Sequence, residues 1–147
     1  MKKMIFVLAA CFLINSPSWA KKATKEIKGI TMEELKWEPN PERPDEVQVA
    51  VVRGNMKKGS HAAFQKFKPG FSVENHTHSS SFHEIVIAGT WVTGPESSPK
   101  TYGPGSYVDC PAGVPHITKC TSTTECLVYI ESSGKFDMHM AKEAKKK

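Results

Sequence analysis

Several common functional signatures are missing from this sequence of 147 residues. Beyond the apolar N-terminus it contains no phosphate-binding loop, no dinucleotide-binding glycine fingerprint and no Ser-His-Asp motif. It also lacks a basic amphipathic helix and any arginine cluster interleaved with aromatic residues, the patterns that indicate nucleic-acid binding. These absences disfavour nucleotide-dependent chemistry, and we expect no nucleic acid partner.

The sequence also lacks an uncharged apolar run long enough to span a bilayer comfortably. The longest run, residues 4–14, falls short of the about 20 residues that a membrane helix needs. It follows a basic start and precedes a helix-breaking proline and two small residues, the second of which is Ala20. This order is typical of a secretory signal peptide. We predict a signal peptide over residues 1–20, cleavage after Ala20, and a periplasmic or secreted protein without a permanent transmembrane anchor.

A second interpretation of the same segment is a lipoprotein signal. Residues 8–11 resemble a lipobox, in which Cys11 would become the lipidated first residue. Cys11 lies very early, however, and the three residues after it continue the apolar run. Soluble export is therefore the preferred interpretation.

The remaining chain is long enough for one domain. Its formal net charge is +5, and much of that charge lies in the signal segment and at the two basic ends. We predict an N-terminal extension over residues 21–44, one folded domain over residues 45–140 and a solvated basic tail over residues 141–147.

The pattern of residues beyond position 45 is that of an all-β protein. Short segments rich in β-branched and aromatic residues alternate with turns that contain glycine or proline, and no helical periodicity competes with them. Before this region, Thr31 and Glu34 have the spacing of a capping box, which predicts one short helix. Three prolines within residues 38–44 predict an irregular connection.

Three cysteines remain after signal removal, and an exported protein meets oxidising conditions. Cys120 and Cys126 flank a plausible hairpin loop and could pair across two antiparallel strands, which would leave Cys110 unpaired. The alternative is that all three are small buried apolar residues. The sequence leaves both interpretations open.

Three histidines have a spacing that points to metal chemistry. His76 and His78 alternate around one residue, which on a β-strand places both imidazoles on one face. A turn containing Pro111 and Gly113 delivers His116 to the start of another strand. Neutral imidazole is a good ligand for divalent transition metals, so we predict a site for Fe, Mn, Ni, Cu or Zn.

These histidines belong to two motifs that resemble those of the cupins. The first motif comprises Gly70, His76, His78 and Gly89, and the second comprises Gly105, Pro111, Gly113 and His116. The second matches the cupin pattern except at its end, where Cys120 stands in place of the usual Asn. The chain resembles the small single-domain bacterial cupins, of the type that includes the ChrR-like cupins.

The resemblance implies a cupin-type double-stranded β-helix, that is, a jelly-roll barrel, over residues 45–140. It also implies that the motif histidines point into the barrel and hold a metal. Because cupins commonly pair through barrel faces, a homodimer is the expected assembly.

Typical cupins bind the metal through His, His, Glu and His, and the first motif here departs at the Glu. The corresponding position falls on Phe82 or on His83, with Glu84 next. Three interpretations follow. In the first, His83 is the fourth ligand and Ile85 points inward with it. In the second, Glu84 is the ligand and shares a face with Phe82, and in the third neither residue binds the metal. The last would give a three-histidine site like that of the thiol dioxygenases. The imidazole of His83 can bind a metal, and cupins tolerate its spacing from His78, so His83 is favoured. The predicted ligands are therefore His76, His78, His83 and His116.

Other residues receive structural roles at this stage. We predict that His61 and His139 lie on the surface. Four aromatic residues are expected in the core or on the pocket wall, namely Phe64, Trp91, Tyr107 and Tyr129. Tyr107 and Glu84 are the candidates for an acid or base beside the metal.

The predicted function is that of an exported metal-binding cupin-domain protein. One hypothesis for its activity is a metal-dependent enzyme, a dioxygenase, isomerase or lyase, that acts on a small polar molecule. The alternative is a cupin that binds or senses a small molecule or a metal without turnover.

Overall fold

The structure is a computed structural model that describes residues 26–141. The predicted signal peptide, the Cys11 lipobox and residues 142–147 of the basic tail lie outside the described residues. Within that range, no helix has both the length and the apolar character needed to cross a membrane.

Strands make up nearly all the regular structure of residues 26–141. The strands in chain order are β1 Glu38–Pro39, β2 Val47–Gly54, β3 His61–Phe67, β4 Ser72–Thr77, β5 Phe82–Ala88, β6 Trp91–Gly94, β7 Lys100–Tyr102, β8 Tyr107–Cys110, β9 His116–Cys120, β10 Cys126–Ser132 and β11 His139–Met140. The helix predicted near Thr31 is a three-residue 3-10 helix, Met32–Glu34. It is held in part by the Thr31 backbone N–H, which donates to Glu34 Oε2 at 2.8 Å.

The strands form two antiparallel sheets that enclose the core. The six-stranded sheet has the order β1-β2-β3-β10-β5-β8, and the five-stranded sheet has the order β11-β4-β9-β6-β7. Consecutive strands often lie in different sheets, as in a jelly roll. The prediction of an all-β cupin-type barrel is therefore confirmed.

A disulfide joins the two sheets where β9 passes into β10. Cys120, at the end of β9, is bonded to Cys126, at the start of β10, and both are buried. Cys110 is the free cysteine of the described chain; burial, helped by the charges of Glu84 and Asp109, raises the pKa of its thiol well above the usual range. The structure thus agrees with the pairing interpretation of the sequence.

The prediction that His61 lies on the surface is wrong. Its side chain is 1 % exposed, and its Nδ1–H lies 3.1 Å from the carbonyl oxygens of both Gly59 and Gly134. His61 belongs to neither motif, which suggested a surface position, but the chain after β10 brings Gly134 O against this ring. His139, in contrast, is exposed as predicted.

Three of the four aromatic residues assigned to the core or pocket wall lie elsewhere. Tyr107 is 59 % exposed, because β8 is an edge strand and Tyr107 pairs with Ile85 on the outer side of the sheet. Phe64 and Tyr129 are half-buried and pack edge to face at 5.2 Å between ring centroids. Only Trp91, 1 % exposed, is in the core.

Candidate metal centre

The two motif strands bring three histidines together inside the barrel. His76 on β4 and His116 on β9 are direct cross-strand partners, and His78 directly follows β4. All three are buried, and one ring nitrogen of each lies within 4.8 Å of the others. The ring centroids of His76 and His116 are 4.3 Å apart. The structure therefore assembles the sequence-predicted triad into a group that could hold one metal ion.

Each imidazole of the triad is oriented by a backbone carbonyl oxygen. The Nδ1–H of His76 donates to Glu74 O at 2.8 Å, and the Nδ1–H of His116 donates to Val114 O at 2.9 Å. The Nδ1–H of His78 donates to Asp137 O. A hydrogen bond at Nδ1 fixes the tautomer and leaves the Nε2 lone pair for a metal. The donor set therefore fits a divalent transition metal.

Burial favours the neutral form of two of these rings, those of His76 and His78, which metal binding requires. Desolvation lowers the pKa of His76 to about 4, against an opposing hydrogen bond to Glu74 O and with help from the neighbouring histidines. Desolvation likewise lowers the pKa of His78. Few protons then compete for these two nitrogens at neutral pH.

His83, predicted as the fourth ligand, does not join the triad. The inner face of β5 carries Phe82, Glu84 and Val86, so the alternating pleat directs His83 outward. There, His83 Nδ1 lies 2.7 Å from the hydroxyl of Tyr107 and 3.1 Å from Asp109 Oδ1. The prediction was wrong because β5 is apolar on both faces, and periodicity alone did not fix which face is buried.

Glu84 lies on the inner face, on the side of Phe82, but it is also outside the triad. Its side chain is 5 % exposed, and its Oε2 accepts a hydrogen bond from Trp91 Nε1–H at 2.9 Å. Desolvation raises the pKa of this carboxyl to about 7, although the bond from Trp91 opposes the rise. Of the three interpretations of the first motif, the three-histidine site is the one that the geometry supports.

A cavity opens beside the triad. Its wall includes His76, His78, Glu84 and Trp91, and its volume is about 70 Å³. Most of the remaining wall is apolar, formed by side chains such as Phe67, Phe71, Val73 and Ile130.

The chain end completes the cavity in a way that the sequence did not indicate. The C-terminal strap, residues 133–141, crosses the opening and contributes Lys135, Phe136, Asp137 and Met138 to the wall. Its strand β11 pairs with β4, so that Met140 lies opposite His76. Asp137 orients His78 through a backbone oxygen, which every residue has, and no residue type could have revealed this contact.

Gln65 is a second wall residue that sequence reasoning missed. It lies on β3 with its side chain 3 % exposed, between the inward residues Ala63 and Phe67. The sequence did contain a signal for this residue, because Gln65 is a polar residue between Ala63 and Phe67 on the core-facing side of β3.

Comparison with known proteins decides the family. A family model described as the ChrR Cupin-like domain matches residues 25–135. The chain belongs to this family of cupins. The resemblance drawn from the two motifs is thereby confirmed. No curated protein matches this cupin.

Solved structures of other cupins have the same fold at low sequence identity. An RmlC-like cupin from Ralstonia eutropha is 15% identical with a TM-score of 0.62, over 74% of this chain and 69% of that one. The polyketide cyclase RemF from Streptomyces resistomycificus is 15% identical with a TM-score of 0.61, over 82% and 89%. The DMSP lyase DddQ from Ruegeria pomeroyi is 18% identical with a TM-score of 0.58, over 73% and 61%. At these identities the likeness shows the fold alone.

Proposed function

We propose that this cupin is an exported metal-dependent enzyme that acts on a small polar molecule. The metal ligands are His76, His78 and His116. The observation that carries the proposal is the common orientation of the triad, in which a carbonyl oxygen holds each Nδ1–H and the Nε2 atoms converge. The reaction class is that of a dioxygenase, isomerase or lyase, and the cyclase and lyase among the structural neighbours support a small-molecule substrate.

The chain's own residues divide the work at this site. A divalent metal supplies Lewis acidity, and three neutral ligands leave its charge available for an anionic group of the substrate. The apolar wall and the C-terminal strap exclude water around the bound molecule. Glu84 holds or releases a proton near neutral pH, because burial raises its pKa to about 7.

A cupin that binds a small molecule without turnover is the alternative. Glu84 favours the enzyme, because a buried carboxyl with a pKa of about 7 on the cavity wall is suited to proton transfer. Turnover of a candidate substrate by the metal-loaded protein distinguishes the two.

We expect the purified protein to bind about one equivalent of a divalent transition metal. In a His76→Ala/His78→Ala double variant the bound metal should fall to less than about a tenth, because a single remaining imidazole cannot hold the ion. Inductively coupled plasma mass spectrometry on untagged protein, before and after incubation with Fe, Mn, Ni, Cu or Zn, measures this.

His83→Ala is the matched control for this experiment, because His83 is an exposed histidine outside both the triad and the strap. Its metal content should equal that of the wild type. Wild-type protein that binds none of the five metals would contradict the proposed site.

The second part of the proposal is a homodimer that forms through the outer face of the six-stranded sheet. The outer apolar face consists of Phe64, Ile85, Ile87, Tyr107 and Tyr129. Ile85 is 41% exposed and Ile87 is 39% exposed, which is unusual for two isoleucines on one strand. A second copy would bury this face against itself about a two-fold axis.

An Ile85→Lys/Ile87→Lys variant should therefore be monomeric at concentrations where the wild type is dimeric. Four ammonium groups, two from each subunit, would be desolvated in the dimer but remain in water in the monomer. Size-exclusion chromatography with light scattering measures the mass. Val114→Lys, at a 44% exposed position outside this face, should leave the dimer intact. A monomeric wild type would contradict the assembly.

A further inference from the structure

Two buried polar side chains of the metal cavity have hydrogen-bonding capacity left over. Gln65 and Glu84 are 3 % and 5 % exposed and both line the cavity. Gln65 Nε2 has no hydrogen-bond partner among residues 26–141. Glu84 uses Oε2 to accept from Trp91, which leaves Oε1 for a ligand. A buried polar group without a partner costs stability, and of the three such atoms in residues 26–141, His61 Nε2, Gln65 Nε2 and Asn75 Oδ1, only that of Gln65 belongs to a residue that lines the cavity.

The fold places both side chains on one inner wall. Gln65 lies on β3 and Glu84 on β5, and these two strands flank β10 in the six-stranded sheet. The two strands are about 10 Å apart, and Gln65 lies opposite Val128 whereas Glu84 lies opposite Ile130, about 7 Å further along the sheet. The Cα atoms are thus about 12 Å apart, a distance that two long side chains and one small molecule between them can span. Between them the wall is apolar, with Val128 and Ile130 of β10 pointing inward.

The charges of the cavity are divided between its two ends. Imidazole binds a metal in its neutral form, so a divalent ion held by the triad would keep its positive charge, and Lys135 on the strap also lines the cavity. This end attracts an anionic group. Gln65 is neutral, and a carboxyl such as Glu84 repels a second carboxylate when it is ionised. The end that holds these two residues therefore favours an uncharged oxygen.

We propose that Gln65 and Glu84 orient the substrate, and that the substrate is a small hydroxy or oxo acid. Its carboxylate faces the metal. A substrate hydroxyl accepts from Gln65 Nε2–H and donates to Glu84 Oε1, whereas a carbonyl oxygen accepts from Gln65 Nε2–H and from the protonated Glu84 carboxyl. The cavity volume of about 70 Å³ suits a small substrate. This assignment rests on the proposed function, since it uses the metal end of the cavity.

The first test needs no metal and no ligand. In metal-free protein, Gln65→Met should raise the melting temperature by about 4 °C, because it removes an unpaired buried amide at nearly constant volume. Ser132→Ala is the matched control: Ser132 is also buried in this sheet, but its hydroxyl donates to Gly134 O at 3.1 Å. This control should lower the melting temperature. A Gln65→Met variant that is destabilised as much as the control would show a structural role and overturn the proposal.

The second test uses matched probes on nickel-loaded protein. There are two pairs of probes of equal length. 3-Hydroxypropanoate carries a hydroxyl where butanoate has its terminal methyl group, and 4-hydroxybutanoate is related to pentanoate in the same way. Isothermal titration calorimetry should show that at least one hydroxy acid binds about tenfold or more tightly than its partner. The preference should disappear in Gln65→Met and in Glu84→Met, while both variants retain one equivalent of nickel.

The outcomes separate this proposal from the proposed metal site. A wild type that binds no nickel contradicts the metal site. The melting temperatures of the metal-free variants test the role of Gln65 independently of any metal. Nickel binding without any preference for a hydroxy acid, or with a preference that survives both variants, would overturn the substrate assignment.

Discussion

Glu84→Gln should stabilise the metal-free protein at pH 8 by about 3 kcal/mol and leave its stability at pH 4.5 nearly unchanged. The pKa of the Glu84 carboxyl rises from an ordinary value of 4.5 to about 7 on folding, mainly because burial desolvates the ionised form. The folded state therefore binds more protons than the unfolded state between these two pH values. Each pKa unit corresponds to about 1.4 kcal/mol.

The sign of this effect follows from the raised pKa. The contribution of Glu84 to stability is fully present below pH 4.5 and is lost as the pH rises through about 7. His76 acts in the opposite direction, since its pKa is lowered to about 4 and its contribution is lost as the pH falls. The pH dependence of the wild-type unfolding free energy is the sum of both contributions. The contribution of Glu84 is therefore read from the difference in unfolding free energy between wild type and variant at each pH.

Urea unfolding of both proteins at several pH values between 4.5 and 8 measures this difference. The amide that replaces the Glu84 carboxyl keeps an oxygen that can accept from Trp91 Nε1–H, so the core geometry is preserved. A constant offset between the two curves would mean that the Glu84 carboxyl titrates with an ordinary pKa, and the role of Glu84 in proton transfer would then be lost.

Gly89→Ala should lower the free energy of unfolding by roughly 3 to 4 kcal/mol, for two separable reasons. The backbone of Gly89 has φ +85°, a left-handed conformation that disfavours any residue with a Cβ. A Cβ at this position would also lie 2.8 Å from both Cα and Sγ of Cys126. Neither atom can move easily, because Cys126 is bonded to Cys120 and is fully buried.

Gly105→Ala separates the two contributions. Gly105 has the same φ of +85°, but a Cβ there would meet nothing within 4 Å. This control should cost about 1 to 2 kcal/mol, the backbone contribution alone. Denaturant unfolding of both variants gives the comparison, and equal losses would show that the contact with Cys126 is relieved at little cost.

The sequence predicted the parts of the site that depend on local spacing. His76 and His78 share a face because a strand alternates, and His116 follows a turn whose residues favour that geometry. Both features need only a few consecutive residues. The disulfide also depends on local spacing, since Cys120 and Cys126 flank a short connection between two strands, but the sequence left it open against three buried thiols.

The parts that depend on tertiary packing were not predictable in the same way. On β5 both faces are apolar, so the choice between His83 and Glu84 is made by packing against the opposite sheet. Trp91, from that sheet, supplies the donor that Glu84 needs inside the barrel. His61 is buried by Gly134, which is distant in sequence. Long-range contacts of this kind produce no periodic pattern in the sequence.

The C-terminal strap would couple residues 133–141 reciprocally to a metal ion held by the triad. One imidazole, that of His78, is held by Asp137 O at Nδ1 and belongs to the triad. By linkage, a metal ion that favoured this ring orientation would tighten the strap, and a partner that lifts the strap would weaken metal binding by the same factor. The strap would thus act on ion retention through a backbone oxygen.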